Sequence, residues 1–354
     1  MVLNYLIIEL RLLDKFTYFW AIMMDELIKK FPAQLKEAIA IGENAEIEEP
    51  TTDIRNVYVA GLGGSGIGAN FVSEFISAEC PVPFTIGKGY SIPASVNEHT
   101  LAIVSSYSGN TEETLASFHA MEKTGAMIVV ISSGGKLIQL AKEKSYDYIQ
   151  LPGDWPSPRA CLGFSMVQQL FILHKLQLIG DNFINHLKAG RELLNFDQED
   201  ISKLAQGIAR QLHNKIPIIY TTDRMESVAI RLRQQINENS KMLCWHHVIP
   251  EMNHNELVGW NQHNKNLAVL FLRNDDDLKK NKVRIDINKK IIAKCSDTII
   301  EVYSKGNTLI EKAIYFVHLG DWISWHLSVL NEVDASEIKV IDYLKSELEK
   351  VQQQ

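Results

Sequence analysis

From residue 56 onward the chain alternates continuous apolar runs with stretches in which apolar residues recur every three or four positions. "NVYVAGLGGSG" (56–66), "VPFTIGKG" (82–89), "TLAIVSSYSGNT" (100–111) and "AMIVVISSGGK" (126–136) read as strands. The third and fourth are followed by the helical patterns "EETLASFHAMEKTG" and "LIQLAKEKS". Uninterrupted β-branched runs, unlike alternating ones, suit strands covered on both faces, so they predict a parallel sheet between helices. The rhythm returns in "KIPIIYTTD" (215–223), "LAVLFLRND" (267–275) and "DTIIEVYSK" (297–305). "MESVAIRLRQQINENS" and the long apolar "TLIEKAIYFVHLGDWISWHLSVL" are its helices. "FSMVQQLFILHKLQLIG" (164–180) with "INHLKAGRELL" forms a helical bridge. The expected fold is α/β: two doubly wound subdomains, each with a mostly parallel sheet flanked by helices. The expected divisions are 24–160, a helical connection over 161–205, and 206–354.

The N-terminal stretch departs from this rhythm. "MVLNYLIIELRLLDKFTYFWAIMMDELIKKF" is apolar-rich, but Glu9, Arg11, Asp14 and Lys15 interrupt it. No run reaches the roughly 18–20 uncharged residues of a membrane span, and no small-residue cleavage site follows a clean apolar core. Met23 and Met24 stand just before the amphipathic "DELIKKFPAQLKEAIAIG". Residues 1–23 therefore read as an extension ahead of the domain, from an upstream start codon; a core helix is the rival reading. The four cysteines, Cys80, Cys161, Cys244 and Cys295, form no CxxC pair and read as reduced thiols of a cytoplasmic protein.

A net charge of −7 argues against nucleic acid as a partner, because phosphate-backbone binding needs a basic face. It leaves room for a small anion, which responds to the local field. Gly61-Leu62-Gly63-Gly64-Ser65-Gly66 satisfies G-x-G-x-x-G after a strand, which raises a dinucleotide site. The acidic residue that would hold a ribose about 20 positions on is missing, and Gly87-Lys88 stands there. That weakens NAD more than NADP; glycines serving only tight packing are a further reading.

The second crossover is more telling. "SSYSGNTEET" places Ser105, Ser106, Tyr107, Ser108 and Thr111 where helix amides point outward unsatisfied. Amides, hydroxyls and the positive end of the helix dipole make a neutral anion cradle. Thr111 with Glu113 and Thr114 also fits plain N-capping, but capping needs one hydroxyl. No GxxxxGK[ST] occurs, so a phosphate monoester suits the loop better than a nucleotide triphosphate. The later half carries Asp275, Asp276 and Asp277 at the corresponding strand end. Carboxylates there repel an anion, so one phosphate site is expected and not two.

"GLGGSGIG", "SYSGNTEET" and "SSGGKL" resemble the sugar isomerase (SIS) domain, a doubly wound fold that binds phosphosugars. Two such domains, with "PSPRACLG", "QINENSK", "MNHNE" and a terminal "LKSEL", resemble the phosphoglucose/phosphomannose isomerases over about residues 24–350. The resemblance implies metal-free, cofactor-free interconversion of glucose 6-phosphate or mannose 6-phosphate with fructose 6-phosphate through a cis-enediol(ate). It implies that Gly64 and Ser65 line the substrate and that Ser106, Ser108 and Thr111 hold its phosphate. It makes Glu238 the catalytic base and sets Arg159 at the reacting end. By the same resemblance His254 is expected to be the ring-opening histidine, contributed across a homodimer interface, and Lys345 the C-terminal lysine near the ring oxygen. Here the approach to the last helix reads "DASEIKVIDYLK", without the family's proline, which leaves Lys339 as a rival for Lys345.

Those residue types suit the chemistry. One carboxylate can take a proton from C2 and return it to C1. An arginine stays protonated, stabilises enediolate charge and does not take the migrating proton. A histidine can protonate a ring oxygen near neutral pH. Clustered His246, His247, His254 and His263 with Glu251 and Glu256 also raise a zinc site, though the spacing fits no compact zinc pattern. His246 and His247, in a strand-like run after Trp245, read as structural. The competing functions are a non-catalytic phosphosugar-binding SIS regulator and an NADP-linked oxidoreductase; no DNA-binding helix-turn-helix pattern accompanies the former.

Overall fold

The uninterrupted apolar runs become the strands of two wholly parallel sheets. The computed structural model describes residues 24–351. The extension expected over residues 1–23 lies outside them. Two compact units divide the chain: one comprises residues 30–197 and 304–316, the other 24–29, 198–303 and 317–351. Neither is contiguous: the chain passes from one to the other at 29/30, 197/198, 303/304 and 316/317. The helical connection is itself divided, with 161–197 in the first unit and 198–205 in the second.

In the first unit helix α1 (Phe31–Asn44), opened by Pro32 where a missing N–H costs nothing, precedes β1 (Asn56–Ala60). There follow α2 (Gly63–Ile76), β2 (Phe84–Gly87), β3 (Thr100–Ser105), α3 (Glu112–Met121), β4 (Met127–Ser132), α4 (Gly135–Lys144) and β5 (Asp147–Gln150). A 3₁₀ turn (Pro158–Ala160) leads into α5 (Leu162–Lys175). The strand order is β2-β1-β3-β4-β5, every pairing parallel. All six residues of β3 are buried, as a central strand covered on both faces requires. Ala102 and Val104 pack on one face with Phe118, Met121 and Leu137. The chain steps outward from β1 in both directions, which opens a crevice at the carboxyl ends of β1 and β3. β5 is an edge strand whose mixed burial hid it among polar residues.

The second unit repeats the plan. Helix α6 (Asn182–Leu212), which has residues in both units, leads to β6 (Ile216–Thr222), α7 (Glu226–Ser240) and β7 (Trp245–Ile249). β8 (Leu267–Arg273), α8 (Lys279–Ile292), β9 (Thr298–Tyr303), α9 (Leu309–Leu330), which also has residues in both units, and α10 (Lys339–Val351) complete it. Its order is β7-β6-β8-β9, again all parallel. Among the described residues no helix is long and apolar enough to cross a membrane.

Candidate functional site

The crevice between β1 and β3 receives both motifs flagged in the sequence. The glycine run turns from β1 into α2, and the serine run turns from β3 into α3. A Cβ on Gly61 would lie 2.9 Å from Ser105 O, so a glycine there lets the two turns approach this closely, and one on Gly66 would lie 2.5 Å from Gly61 O, so a glycine there lets the first turn close on itself. A Cβ on Gly64 would sit 3.2 Å from Pro158 O, which sets the glycine turn against the Pro158–Ala160 turn carrying Arg159. Gly64, Ser65 and Arg159 thus belong to neighbouring backbone, and Ser65 and Arg159 are 6 % and 8 % exposed.

The five hydroxyls of the serine turn divide by role. Ser105 points inward, its Oγ 3.2 Å from Ser165 Oγ, and Tyr107 donates to Pro152 O at 2.7 Å. Burial raises the Tyr107 hydroxyl well above the usual phenol range, so it remains a donor. Ser106 and Thr111 hydroxyls lie 2.8 Å apart, and Ser106 Oγ also accepts from Gly109 N–H. Thr111 occupies the N-cap position of α3, yet its side chain makes no capping bond. The plain capping reading of Thr111 is therefore not what its hydroxyl does. Ser108 is exposed and accepts the Asn110 N–H at 3.3 Å. Beyond them the first-turn amides of α3 have no carbonyl in their own helix.

Two further sets of hydrogen bonds support the serine turn and the arginine turn. "SSGGKL" lies behind the serine turn: Ser133 donates to Tyr107 O from both its N–H (3.0 Å) and its Oγ (2.6 Å). Lys136 N–H donates to Asn110 Oδ1 and Leu137 N–H to Gly109 O. Gly109 has φ +68°, and a Cβ there would meet Gly134 O at 1.9 Å. Gln34, wholly buried on α1, donates to Ala160 O at 2.7 Å and accepts from Gly163 N–H at 2.9 Å. It ties the end of the arginine turn to the first turn of α5. A glutamine at a buried position of an amphipathic helix was the available signal.

In the second unit a carboxylate stands at the carboxyl ends of β6 and β8. Asp277 accepts from Thr222 Oγ1 at 3.1 Å and from Asn274 N–H at 3.0 Å. The aspartate run after β8 thus lies beside the end of β6.

Glu238 lies on the last turn of α7, half-buried. Arg231 and Gln235 on that helix donate to Asp321 on α9, at 3.2 and 2.8 Å. Burial raises the Asp321 carboxyl, and Arg231 opposes the shift. The flanking asparagines are anchors: Asn239 Nδ2 donates to Ser324 Oγ and Asn237 Nδ2 to Met242 O. His254 ends the 3₁₀ turn Glu251–His254 and is exposed. That turn is pinned by buried Met252 and by Asn253 Nδ2 donating to Asn288 Oδ1 at 2.8 Å.

Glu256, two residues on, is held by Tyr220 OH, by Trp245 Nε1 at 3.2 Å and by the His247 ring at 2.8 Å. His247 is thus engaged in a structural pair, while His263 pairs with Asp297. Among the described residues no group of three or more His, Cys, Asp or Glu side chains is placed to hold a metal ion. Lys345 is exposed on α10, and Lys339 pairs with Glu337 at 2.9 Å.

Residues 201–348 match the bacterial phospho-glucose isomerase C-terminal SIS domain. The chain is 36 % identical to a bifunctional phosphoglucose/phosphomannose isomerase of Caldicellulosiruptor bescii, covering 93 % of this chain and 99 % of that protein. The chain belongs to the phosphoglucose/phosphomannose isomerase family. This isomerase is also 34 % identical, over 86 % of its length and 94 % of the other's, to the bifunctional enzyme of Aquifex aeolicus. Its fold matches the C-terminal domain of glucosamine-fructose-6-phosphate aminotransferase from Francisella tularensis. The TM-score is 0.73 at 15 % identity, over 89 % of this chain and 98 % of that one.

Proposed function

We propose that this isomerase interconverts glucose 6-phosphate and mannose 6-phosphate with fructose 6-phosphate by proton transfer through a cis-enediol(ate). The observation that carries the reading is the Ser106–Thr111 hydroxyl pair set beside unsatisfied helix amides at the carboxyl end of a parallel sheet. That is an uncharged donor cluster of the kind a phosphate monoester needs. In this reading Ser106, Ser108 and Thr111 bind the phosphate, while Gly64 and Ser65 leave room for the sugar.

Glu238 is the base. One carboxylate removes the C2 proton of the open aldose and delivers it to C1, so no second base is required. Arg159 stabilises charge on the enediolate oxygens, since a guanidinium holds its proton throughout. His254 and Lys345 serve ring opening. Engagement of Lys339 by Glu337 supports Lys345 over its rival.

The working form is a homodimer, with His254 offered to the neighbouring subunit. Two features support this: His254 is exposed, and α10 buries none of its residues. Val340, Tyr343 and Val351 on that helix are 81 %, 67 % and 69 % exposed, an apolar face suited to covering by a second copy.

The test is a coupled assay of the purified protein with glucose 6-phosphate and mannose 6-phosphate side by side, after exhaustive chelation. Fructose 6-phosphate formation from both is expected. Tight binding of fructose 6-phosphate with no turnover would establish the regulator reading instead.

A further inference from the structure

Lys241 joins two parts of the second unit that the chemistry needs together. It is the residue just beyond α7, with φ +57°, and its backbone N–H closes on Ile236 O. Chains usually place glycine at this left-handed position, because a Cβ is strained there. The lysine ammonium offers a reason for the exception. Its Nζ donates to Glu238 O at 2.6 Å, to Asp334 O at 2.8 Å and to Glu337 O at 2.9 Å. An ammonium has three donors, and here each meets a main-chain carbonyl.

The same helix end is held from a second direction. Ser240 Oγ donates to Ser324 O at 2.7 Å and Asn331 Nδ2 to Ser240 O at 2.9 Å. Asp334 Oδ1 accepts the Ser336 N–H, which shapes the 334–337 turn that Lys241 grips. Two residues beyond Glu337 begins α10, the helix bearing Lys345.

We infer that Lys241 is a positioning residue for the isomerisation, setting at once the backbone of Glu238 and the departure of the helix that carries Lys345. The inference rests on Glu238 being the proton-transferring base. A base that shuttles one proton between adjacent carbons must stay within hydrogen-bond reach of both. Without the ammonium, three carbonyls turn to water, and both the end of α7 and the 334–337 turn lose their common anchor. The hydroxyls assigned to the phosphate lie in the other unit and keep their bonds.

The test compares Lys241→Met with Lys241→Gly. Methionine keeps the strained backbone and loses the ammonium; glycine loses the ammonium and relieves the strain, so at least one variant folds. Both are expected to lower kcat about tenfold or more, with KM for fructose 6-phosphate within about twofold of wild type, since small misplacements of reacting groups cost up to about 100-fold. Lys241→Gly should melt no lower than Lys241→Met. Wild-type kcat in either variant, or a rise in KM that matches the fall in kcat, would overturn the inference. A wild-type protein inactive on every hexose 6-phosphate, or an active Glu238→Gln, defeats the underlying reading instead and is seen before any Lys241 variant is made.

Discussion

Ser106 and Thr111 hydroxyls stand 2.8 Å apart across the turn from β3 to α3, although Thr111 is placed to cap that helix. A hydroxyl directed at another hydroxyl, and away from the nearby amides, leaves those amides for a ligand. Ser106 is 3 % exposed, so its geometry is set by the protein before anything binds.

Replacing both, as Ser106→Ala with Thr111→Val, removes the two hydroxyls proposed to donate to the substrate phosphate, and a hydrogen bond to a charged group is worth about 1.5–3 kcal/mol. KM for fructose 6-phosphate should rise at least about tenfold, with a smaller fall in kcat from remote binding energy. Steady-state kinetics measure both constants. An unchanged KM would leave these hydroxyls as turn-formers only.

Glu238→Gln keeps the side chain's shape but removes the carboxylate proposed as the base. A fall in kcat of about 10²–10⁴-fold is expected, the usual range for a lost general base. Fructose 6-phosphate affinity, read by calorimetry, should stay close to wild type.

Gln34→Ala strips the partners from Ala160 O and Gly163 N–H in a buried setting. Each orphaned group costs about 1–3 kcal/mol, so unfolding in urea should come at clearly lower denaturant. Since Ala160 follows Arg159, kcat should fall as well, and a variant with normal stability and normal kcat would contradict this tie.

His318 on α9 is fully buried, and burial pushes its imidazole down to about 3. In the unfolded chain it titrates near 6.5, so between those values the unfolded state binds a proton that the native state does not. The stability from this group is complete above about pH 6.5 and lost as pH falls, by up to about 1.4 kcal/mol per unit. His318→Gln, which retains an acceptor for Trp322 Nε1, should flatten the loss of stability between pH 7 and pH 5. Equal slopes for the two proteins in urea titrations would rule the assignment out.

Much of this molecule was legible in the chain, because the strongest signals are local. Runs such as Leu101–Val104 are apolar without alternation, and only a strand covered on both faces wants that. Gly61, Gly66 and Gly109 mark close approaches that forbid a Cβ. What stayed hidden depends on partners distant in sequence. The edge strand β5 exists because β4 pairs with it. Gln34 acts on Ala160 and Lys241 on Asp334, contacts 126 and 93 residues away along the chain. Sequence alone therefore determined the sheet type, the turns at the crevice and the kind of group they suit, since those follow from periodicity and from backbone sterics. Only the folded chain decided which hydroxyls face the crevice and which side chains brace the turns, because a hydrogen bond between remote segments leaves no periodic trace in either one.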